Sequence, residues 1–401
     1  MPPLLNVYTP AGFKTGTPYA SFLAYSPTFM GGVRVTVADF NGDGVPDLIV
    51  APAGVQVTAT DANGNPLAFP VFNFSAGMKP EIKVIDGTKL GMIDANGEID
   101  NAALLADFLA YDPSFTAGVF VAAADSNGDG KADIVTGPDA TGMAPVVGTM
   151  GQFNGTVRVF FSGNSTLMNG PNVAPATPNY QFRAYNPGFG GGVHLTAGDV
   201  TGDGVPDIVT GPGVWSGPDI RIFDGTTLGT ADWSQKFAPG REFNGYDYRY
   251  FGGVNVAVGD LNGDGRLDII LGTDGHGGPE VKAVDATKTA QYQAAAASVA
   301  QDGAEISDSA LLAHFNAFPD PNPLSGPFYT DGTRVSFMSD QNGDGFGDIL
   351  VAAGGKIGVP NDRLIGPDVR AFDGLGIGNS ALDDFFAYNQ SFEGGVFIGG
   401  N

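Results

Sequence analysis

Five stretches of the chain follow one plan: alternating apolar and small or polar residues, an Asp-rich break, then a denser apolar run. They are GGVRVTVADFNGDGVPDLIVAP (31–52), AGVFVAAADSNGDGKADIVTGP (117–138), GGVHLTAGDVTGDGVPDIVTGP (191–212), GGVNVAVGDLNGDGRLDIILGT (252–273) and GTRVSFMSDQNGDGFGDILVAA (332–353). Period-two alternation on both sides of a turn predicts two strands, here A and B. A third run follows each pair: EIKVIDG (81–87), TVRVFFSG (156–163), DIRIFDG (219–225), EVKAVDA (280–286) and DVRAFDG (368–374). A fourth comes next, as in DFLAYDPSF (107–115), QFRAYNPGF (181–189), EFNGYDYRYF (242–251), HFNAFPD (314–320) and DFFAYNQSF (384–392). The unit is therefore four short antiparallel strands, A to D.

The first loop aspartates, Asp39, Asp125, Asp199, Asp260 and Asp340, stand 86, 74, 61 and 80 residues apart. The shortest interval is the bare unit and the longer ones hold insertions. One four-stranded sheet cannot cover both its faces, so successive units must stack on each other. Four strands repeated at about 60 residues is the requirement for a propeller blade. The expected fold is all-β, one β-propeller domain over residues 1–401. Insertions fall near 53–79, 88–105 and 287–313, including a hairpin turning at Asn63-Gly64 and an Ala-rich helix candidate at 287–300.

The ends carry pieces of the same unit. Asn6, Val7 and Tyr8 followed by SFLAYSPTF (21–29) read as strands C and D, and GGVFIGG (394–400) reads as strand A. Joining them closes a ring with five full blades and a partial sixth, so a six-bladed propeller is favoured. Open strand edges invite aggregation, which supports closure. A piece of a longer array, or a strand lent by a neighbouring molecule, are the other readings.

The loops spell Asp-x-Asn-x-Asp-Gly-x-x-Asp. In order, the candidate ligands are Asp39, Asn41, Asp43, the Val45 carbonyl and Asp47; Asp125, Asn127, Asp129, Lys131 and Asp133; Asp199, Thr201, Asp203, Val205 and Asp207. The last two sets are Asp260, Asn262, Asp264, Arg266 and Asp268; and Asp340, Asn342, Asp344, Phe346 and Asp348. The seventh position of each set contributes only its backbone carbonyl. Every donor is oxygen, which selects calcium over zinc or copper, and magnesium demands a stricter octahedron. About five calcium ions are expected. An EF-hand is excluded, because its position-12 Glu is replaced by Val50, Thr136, Thr210, Leu271 and Val351, and the flanks are β-type. Turns that bind nothing are the competing reading for one copy; fifteen aspartates in register over five copies weigh against it. Thr201 in place of Asn marks the third loop as the weaker site.

The phrases F-x-A-Y-x-P-x-F-x-G-G-V, D-x-N-G-D-G-x-x-D-I-V and V-R-x-F-D-G resemble the FG-GAP (integrin-α-like, VCBS-type) repeats of bacterial surface proteins. The resemblance covers nearly the whole chain. It implies a propeller with calcium in the A–B loops on one rim, at a cell surface or outside the cell. It implies no single activity, since such repeats occur in adhesins, lectin-like modules and domains attached to enzymes.

Charge and composition narrow the partners. Net charge is −24, with Asp+Glu 43 against Lys+Arg 19, which disfavours nucleic acid and anionic membranes. No run reaches 18 apolar residues, so no membrane-spanning segment is expected. The N-terminus lacks a basic segment of the signal-peptide kind, and Cys 0 excludes disulfides and thiolate sites. His194, His276 and His314 lie in unrelated contexts, and no nucleophile elbow, zinc-helix or phosphate-loop motif occurs. Asp94, Glu98 and Asp100 read as a solvated acidic loop rather than an extra cation site. The recurring Tyr25, Phe29, Tyr111, Phe115, Tyr185, Phe189, Tyr388 and Phe392 read as blade packing, while Trp215 departs from the repeat and could stack on a sugar.

Three functions fit. The favoured one is a calcium-stabilised, non-enzymatic extracellular or cell-surface module of adhesion type, with a glycan or surface protein as partner. The others are a polysaccharide-acting enzyme with its site on the face opposite the metal loops, and a surface-layer or filament subunit assembling through the incomplete blade.

Overall fold

The computed structural model describes residues 3–399 apart from 55, 58–70, 73–76, 142–152, 173, 215, 236, 239, 276, 292–304, 319–331, 355–366, 375–380 and 390–395. The Asn63-Gly64 turn, the 287–300 helix candidate beyond its first turn, Trp215, His276 and Phe392 lie outside or largely outside them.

After β1 (Leu4–Val7), helix α1 (Pro10–Thr15) and β2 (Ala20–Leu23), the first blade comprises β3 (Val33–Ala38), β4 (Asp47–Pro52), β7 (Glu81–Ile85) and β8 (Leu104–Leu109). The short strands β5 (Gln56–Val57) and β6 (Val71–Phe72), between its strands B and C, pair antiparallel. The second blade is β9 (Val119–Ala124), β10 (Asp133–Pro138), β11 (Thr156–Phe160) and β12 (Tyr180–Arg183). The third is β13 (Val193–Gly198), β14 (Asp207–Pro212), β15 (Asp219–Phe223) and β16 (Glu242–Asn244). The fourth is β17 (Val254–Gly259), β18 (Asp268–Thr273), β19 (Glu280–Val284) and β20 (Leu311–Asn316), and the fifth β21 (Thr333–Met338), β22 (Asp348–Ala353), β23 (Asp368–Asp373) and β24 (Asp383–Phe386). Each is an antiparallel meander in chain order.

The B strands explain why the blades stack. All six residues of β4, β10, β14, β18 and β22 are buried. A strand covered on both faces reads as a continuous apolar run, here Asp-Ile-Val or a close variant. In β10, Ile134 enters the cluster with Ile49, Ile82 and Phe108 of the first blade, while Val135 enters the cluster with Leu195 and Ile208 of the third. Alternate side chains thus fasten one strand to two neighbours. The A strands lie innermost, and Arg34, Phe120, His194, Asn255 and Arg334, at the same position in each, surround one small central cavity of about 90 Å³ with Phe397.

The blade number differs from the sequence expectation: the structure has five four-stranded blades, not six. Among the described residues, the two-stranded sheet β1–β2 alone stands between the fifth blade and the first, with residues 396–399 running past it. Those residues take the inner course: Val396 N donates to the Ala353 carbonyl and Phe397 packs against Arg34 and Arg334. They join no ladder among the described residues, because no strand B lies beside them to supply one.

Two contacts repeat between neighbouring sheets, the first of them wherever a Tyr follows strand D; before the fifth blade Phe318 takes that place and offers only its ring, under Arg370. The Tyr after strand D donates its hydroxyl to the first carbonyl of the following strand C: Tyr25 to Glu81 (2.8 Å), Tyr111 to Thr156 (2.9 Å), Tyr185 to Asp219 (2.9 Å) and Tyr246 to Glu280 (3.2 Å). Tyr25 and Tyr111 also reach the strand-B carbonyls of Val50 and Thr136. The third residue of strand C reaches back to the carbonyl just before that aromatic: Lys83 to Ala24, Arg158 to Ala110, Arg221 to Ala184, Lys282 to Gly245 and Arg370 to Ala317. Each of these cations lies about 5 Å from an aromatic centroid, from Lys282 over Tyr246 at 4.8 Å to Lys83 over Tyr25 at 5.1 Å, a favourable face-on charge contact. Both contacts recur across the incomplete sector, with Asn6 in place of the cation. Tyr388 donates to the Leu4 carbonyl (2.9 Å), and the Asn6 amide donates to the Ala387 carbonyl (3.0 Å). β1 therefore occupies the strand-C position in the same register, Leu4 corresponding to Glu81 and Asn6 to Lys83.

Candidate metal centres

Each A–B loop is wound by its own carboxylates. In the first, Asp39 accepts the N–H groups of Gly42 (2.7 Å) and Gly44 (2.8 Å), Asn41 that of Asp43 (2.7 Å), and Asp43 that of Val45 (2.8 Å). Gly42 (φ 78°) and Gly44 (φ 82°) sit in the left-handed region that a side chain would resist. The same bonds recur from Asp125, Asp199, Asp260 and Asp340 to the two glycines of their loops.

The ninth-position Asp has a different environment. Asp47, Asp133, Asp207, Asp268 and Asp348 open the B strands and are buried. One carboxylate oxygen of each accepts the N–H of the residue after the first loop Asp: Phe40 donates to Asp47 (3.0 Å), Ser126 to Asp133 (3.0 Å), Val200 to Asp207 (3.1 Å), Leu261 to Asp268 (3.1 Å) and Gln341 to Asp348 (2.7 Å). The other oxygen ties down the turn after strand C, through Gly87 in the first blade, Ser162, Gly225 and Ala286 in the next three. Burial, aided by the neighbouring loop carboxylates, pushes Asp133 and Asp348 up to about 6 and Asp268 up to about 7; burial also raises Asp207 to about 6. Asp47 moves in the same direction.

All five sets of expected ligands therefore fall within single loops at equivalent places on the five blades. Among the described residues, no three acidic or His side chains converge in a metal-holding cage, since the carboxylates bond loop N–H groups instead. The donors still suit a hard cation: every one is oxygen, and Asp348 keeps a buried carboxylate oxygen with no hydrogen-bond partner. When bound, such an ion would supply charge neutralisation. The chain's own part is to hold Asp39, Asp43 and Asp47, and their counterparts, on one tight turn.

Other candidates disperse. His194 is buried, 3.5 Å from Asp274, its imidazole pushed down by desolvation. His314 is exposed and pairs with Glu280 at 2.7 Å, far along the chain and in another sheet position. Asp94 closes its own turn onto Asn96 and Glu98, and Asp100 caps a short helix. Tyr25 and Tyr111 are wholly buried, so the recurring aromatics act as blade fasteners. The basic residue at the third position of strand C escaped the sequence reading, although EIKV, TVRV, DIRI, EVKA and DVRA display it.

The fold and loops define a β-propeller carrying FG-GAP repeats: the FG-GAP repeat family model matches residues 31–65 and 252–289. The chain is similar to phosphatidylinositol-glycan-specific phospholipase D of Homo sapiens, 26% identical over 273 residues, covering 64% of this chain and 28% of that protein. It is 30% identical over 212 residues to the same-named protein of Bos taurus, covering 52% of this chain and 21% of the relative. The chain thus spans about a quarter of the length of the curated relatives it matches. Solved structures with some likeness include the rhamnogalacturonan lyase YesW (TM-score 0.34, 13% identity, 88% of this chain and 51% of that one). The exotype rhamnogalacturonan lyase YesX is similar to the same degree (TM-score 0.34, 14% identity, 87% and 57%). No helix among the described residues is long and apolar enough to cross a membrane.

Proposed function

We propose that this chain is a non-enzymatic binding or structural module that works outside the cell and is stabilised by calcium in its five A–B loops. The observation that carries the reading is the buried ninth-position Asp, present at the head of all five B strands. Five desolvated carboxylates facing other carboxylates are costly in an ion-free protein and become favourable around divalent cations. The ligands would be Asp39, Asn41, Asp43, the Val45 carbonyl and Asp47 in the first loop, and their equivalents in the other four. Because Asp47 also holds Gly87, filling the loop would stiffen the junction between strands A, B and C. The FG-GAP repeats agree with an extracellular setting, where calcium is abundant enough for sites of Kd about 10⁻⁴–10⁻³ M.

The test is elemental analysis of protein purified without chelator, paired with thermal melts before and after EGTA. Several calcium ions per chain and a fall in Tm of many degrees are expected, since each site contributes on the order of 1–2 kcal/mol at millimolar calcium. A chain that holds no calcium at millimolar concentration, or that melts identically once stripped, overturns the reading.

A further inference from the structure

The second residue of each A strand faces the propeller axis: Arg34, Phe120, His194, Asn255 and Arg334. With Phe397 they surround the central cavity of about 90 Å³, well above the roughly 10–15 Å³ that one water needs. Cations and rings alternate on its wall. The Arg334 guanidinium lies 4.0 Å from the Phe397 ring centroid, Arg34 lies 3.6 Å from that of Phe120, and the Phe120 and His194 ring centroids are 4.2 Å apart. Stacking on a ring holds a guanidinium by its face and leaves its N–H groups in the plane. Two buried nitrogens on this wall have no hydrogen-bond partner, Arg34 Nε and His194 Nδ1. Arg34 is 8% exposed and His194 5%. Both terminal nitrogens of Arg34 are engaged, one with the Asp139 carboxylate (2.6 Å) and the other with the Val119 carbonyl (3.2 Å).

We propose that this cavity binds one small monovalent anion of chloride size, held between Arg34 Nε and His194 Nδ1. A buried N–H on a charged group is costly to leave unmet, and an anion meets it with a stronger bond than water does. The donor set selects a one-atom anion. A carboxylate is gripped by two parallel N–H groups of one guanidinium, and every such pair includes a terminal nitrogen. Arg34 has given both of its terminal nitrogens to Asp139 and Val119. Single donors from two side chains suit a sphere. A second guanidinium, Arg334, lines the same wall, while Asp139 and Asp274, the carboxylates that meet Arg34 and His194, lie off it. His194 completes the site as an imidazolium, with Nδ1–H toward the anion and Nε2 3.5 Å from Asp274. Desolvation, opposed by Asp274 and Asp139 and reinforced by Arg34, holds this imidazole below its ordinary value, so without an anion the ring is mainly neutral at pH 7. The anion therefore binds together with a proton, and more tightly as pH falls. The site lies on the A strands rather than in their loops and is independent of calcium.

The experiment titrates the full 401-residue chain with sodium chloride against sodium gluconate at constant ionic strength. Chloride NMR linewidth and Tm are read at pH 6 and pH 8, with millimolar calcium gluconate and again after EGTA. Saturable broadening for one site and a rise in Tm are expected, both displaced by bromide and about tenfold weaker at pH 8. His194→Phe should weaken chloride binding at pH 6 by about tenfold or more. His194→Asn, which returns an uncharged N–H near Nδ1, should bind alike at both pH values. Arg34→Lys keeps the charge, loses Nε and should also weaken binding; it is the second variant should His194→Phe fail to fold. No saturable chloride effect would leave water as the occupant and overturn the proposal. So would formate binding tighter than chloride, equal wild-type affinity at the two pH values, or affinity unchanged in both His194→Phe and Arg34→Lys. Chloride binding by a chain whose melting ignores EGTA would leave this inference standing while the calcium reading fell, and calcium binding without chloride would do the reverse.

Discussion

The second blade and the incomplete sector between the fifth and first blades are built from the same repeat, yet they differ in one strand. In the second blade, β10 lies between β9 and β11, and its side chains bind two neighbours at once. In the incomplete sector, β1 and residues 396–399 hold the flanking positions, and the Tyr388 and Asn6 contacts keep them in register across the missing strand. The fasteners between sheets therefore belong to strand C and the D–A turn. Strand B supplies the buried volume. A sector can keep its place in the ring through the first without having the second.

That division predicts a ranking. Ile134→Ala in β10 should cost about 3–4 kcal/mol, as a fully buried side chain shared between two blades, whereas Val7→Ala beside the cleft should cost less than about 1 kcal/mol. Urea denaturation of the two variants measures the difference, and equal losses would break the comparison. Next, Arg158→Met removes a charged donor to the Ala110 carbonyl and should cost about 2 kcal/mol, while Asn6→Ala, the neutral counterpart in the incomplete sector, should cost about 1 kcal/mol.

A pH effect is smaller and confined to a complete blade. Burial, opposed by Lys83 and reinforced by Asp107, lifts Glu81 from 4.5 to about 7. The folded state then holds this proton more tightly than the unfolded chain does. The stabilisation is full below about 4.5 and is lost as pH rises through about 7. Glu81→Gln should flatten the pH dependence of Tm between pH 5 and 8 by the equivalent of roughly 1–2 kcal/mol. A wild-type slope unchanged in the variant would remove Glu81 as its source. Last, Tyr111→Phe should lose about 1 kcal/mol, through the carbonyls of Thr136 and Thr156, with the ring still packed.

Much of this was legible along the chain. The four-strand unit, the place of each loop and the N-terminal fragments in the roles of strands C and D match the strands observed, whereas residues 396–399 form no strand. After β4 the short strands β5 and β6 pair antiparallel, while the turn expected at Asn63-Gly64 lies outside the described residues. Alternation exposes these features because it records which face of a strand is covered, a local property. The blade count was misjudged because a strand-A sequence at 394–400 reads as the start of a blade, although a blade needs a strand B to hydrogen-bond with it. The Lys and Arg fasteners were visible as a recurring position but had no meaning until their carbonyl partners, 37 to 59 residues away, were known.

The sequence by itself determined the repeat, the donor chemistry of the loops and the acidic character of the chain, since each depends only on residue type and spacing. Tertiary structure alone decided that the ninth-position aspartates are desolvated, that an aromatic ring and a cation meet between each blade and the next, and that an apolar cleft of about 500 Å³ opens between the fifth blade and the first. Those outcomes depend on which segments become neighbours across the ring, and that proximity is created by packing rather than by order along the chain.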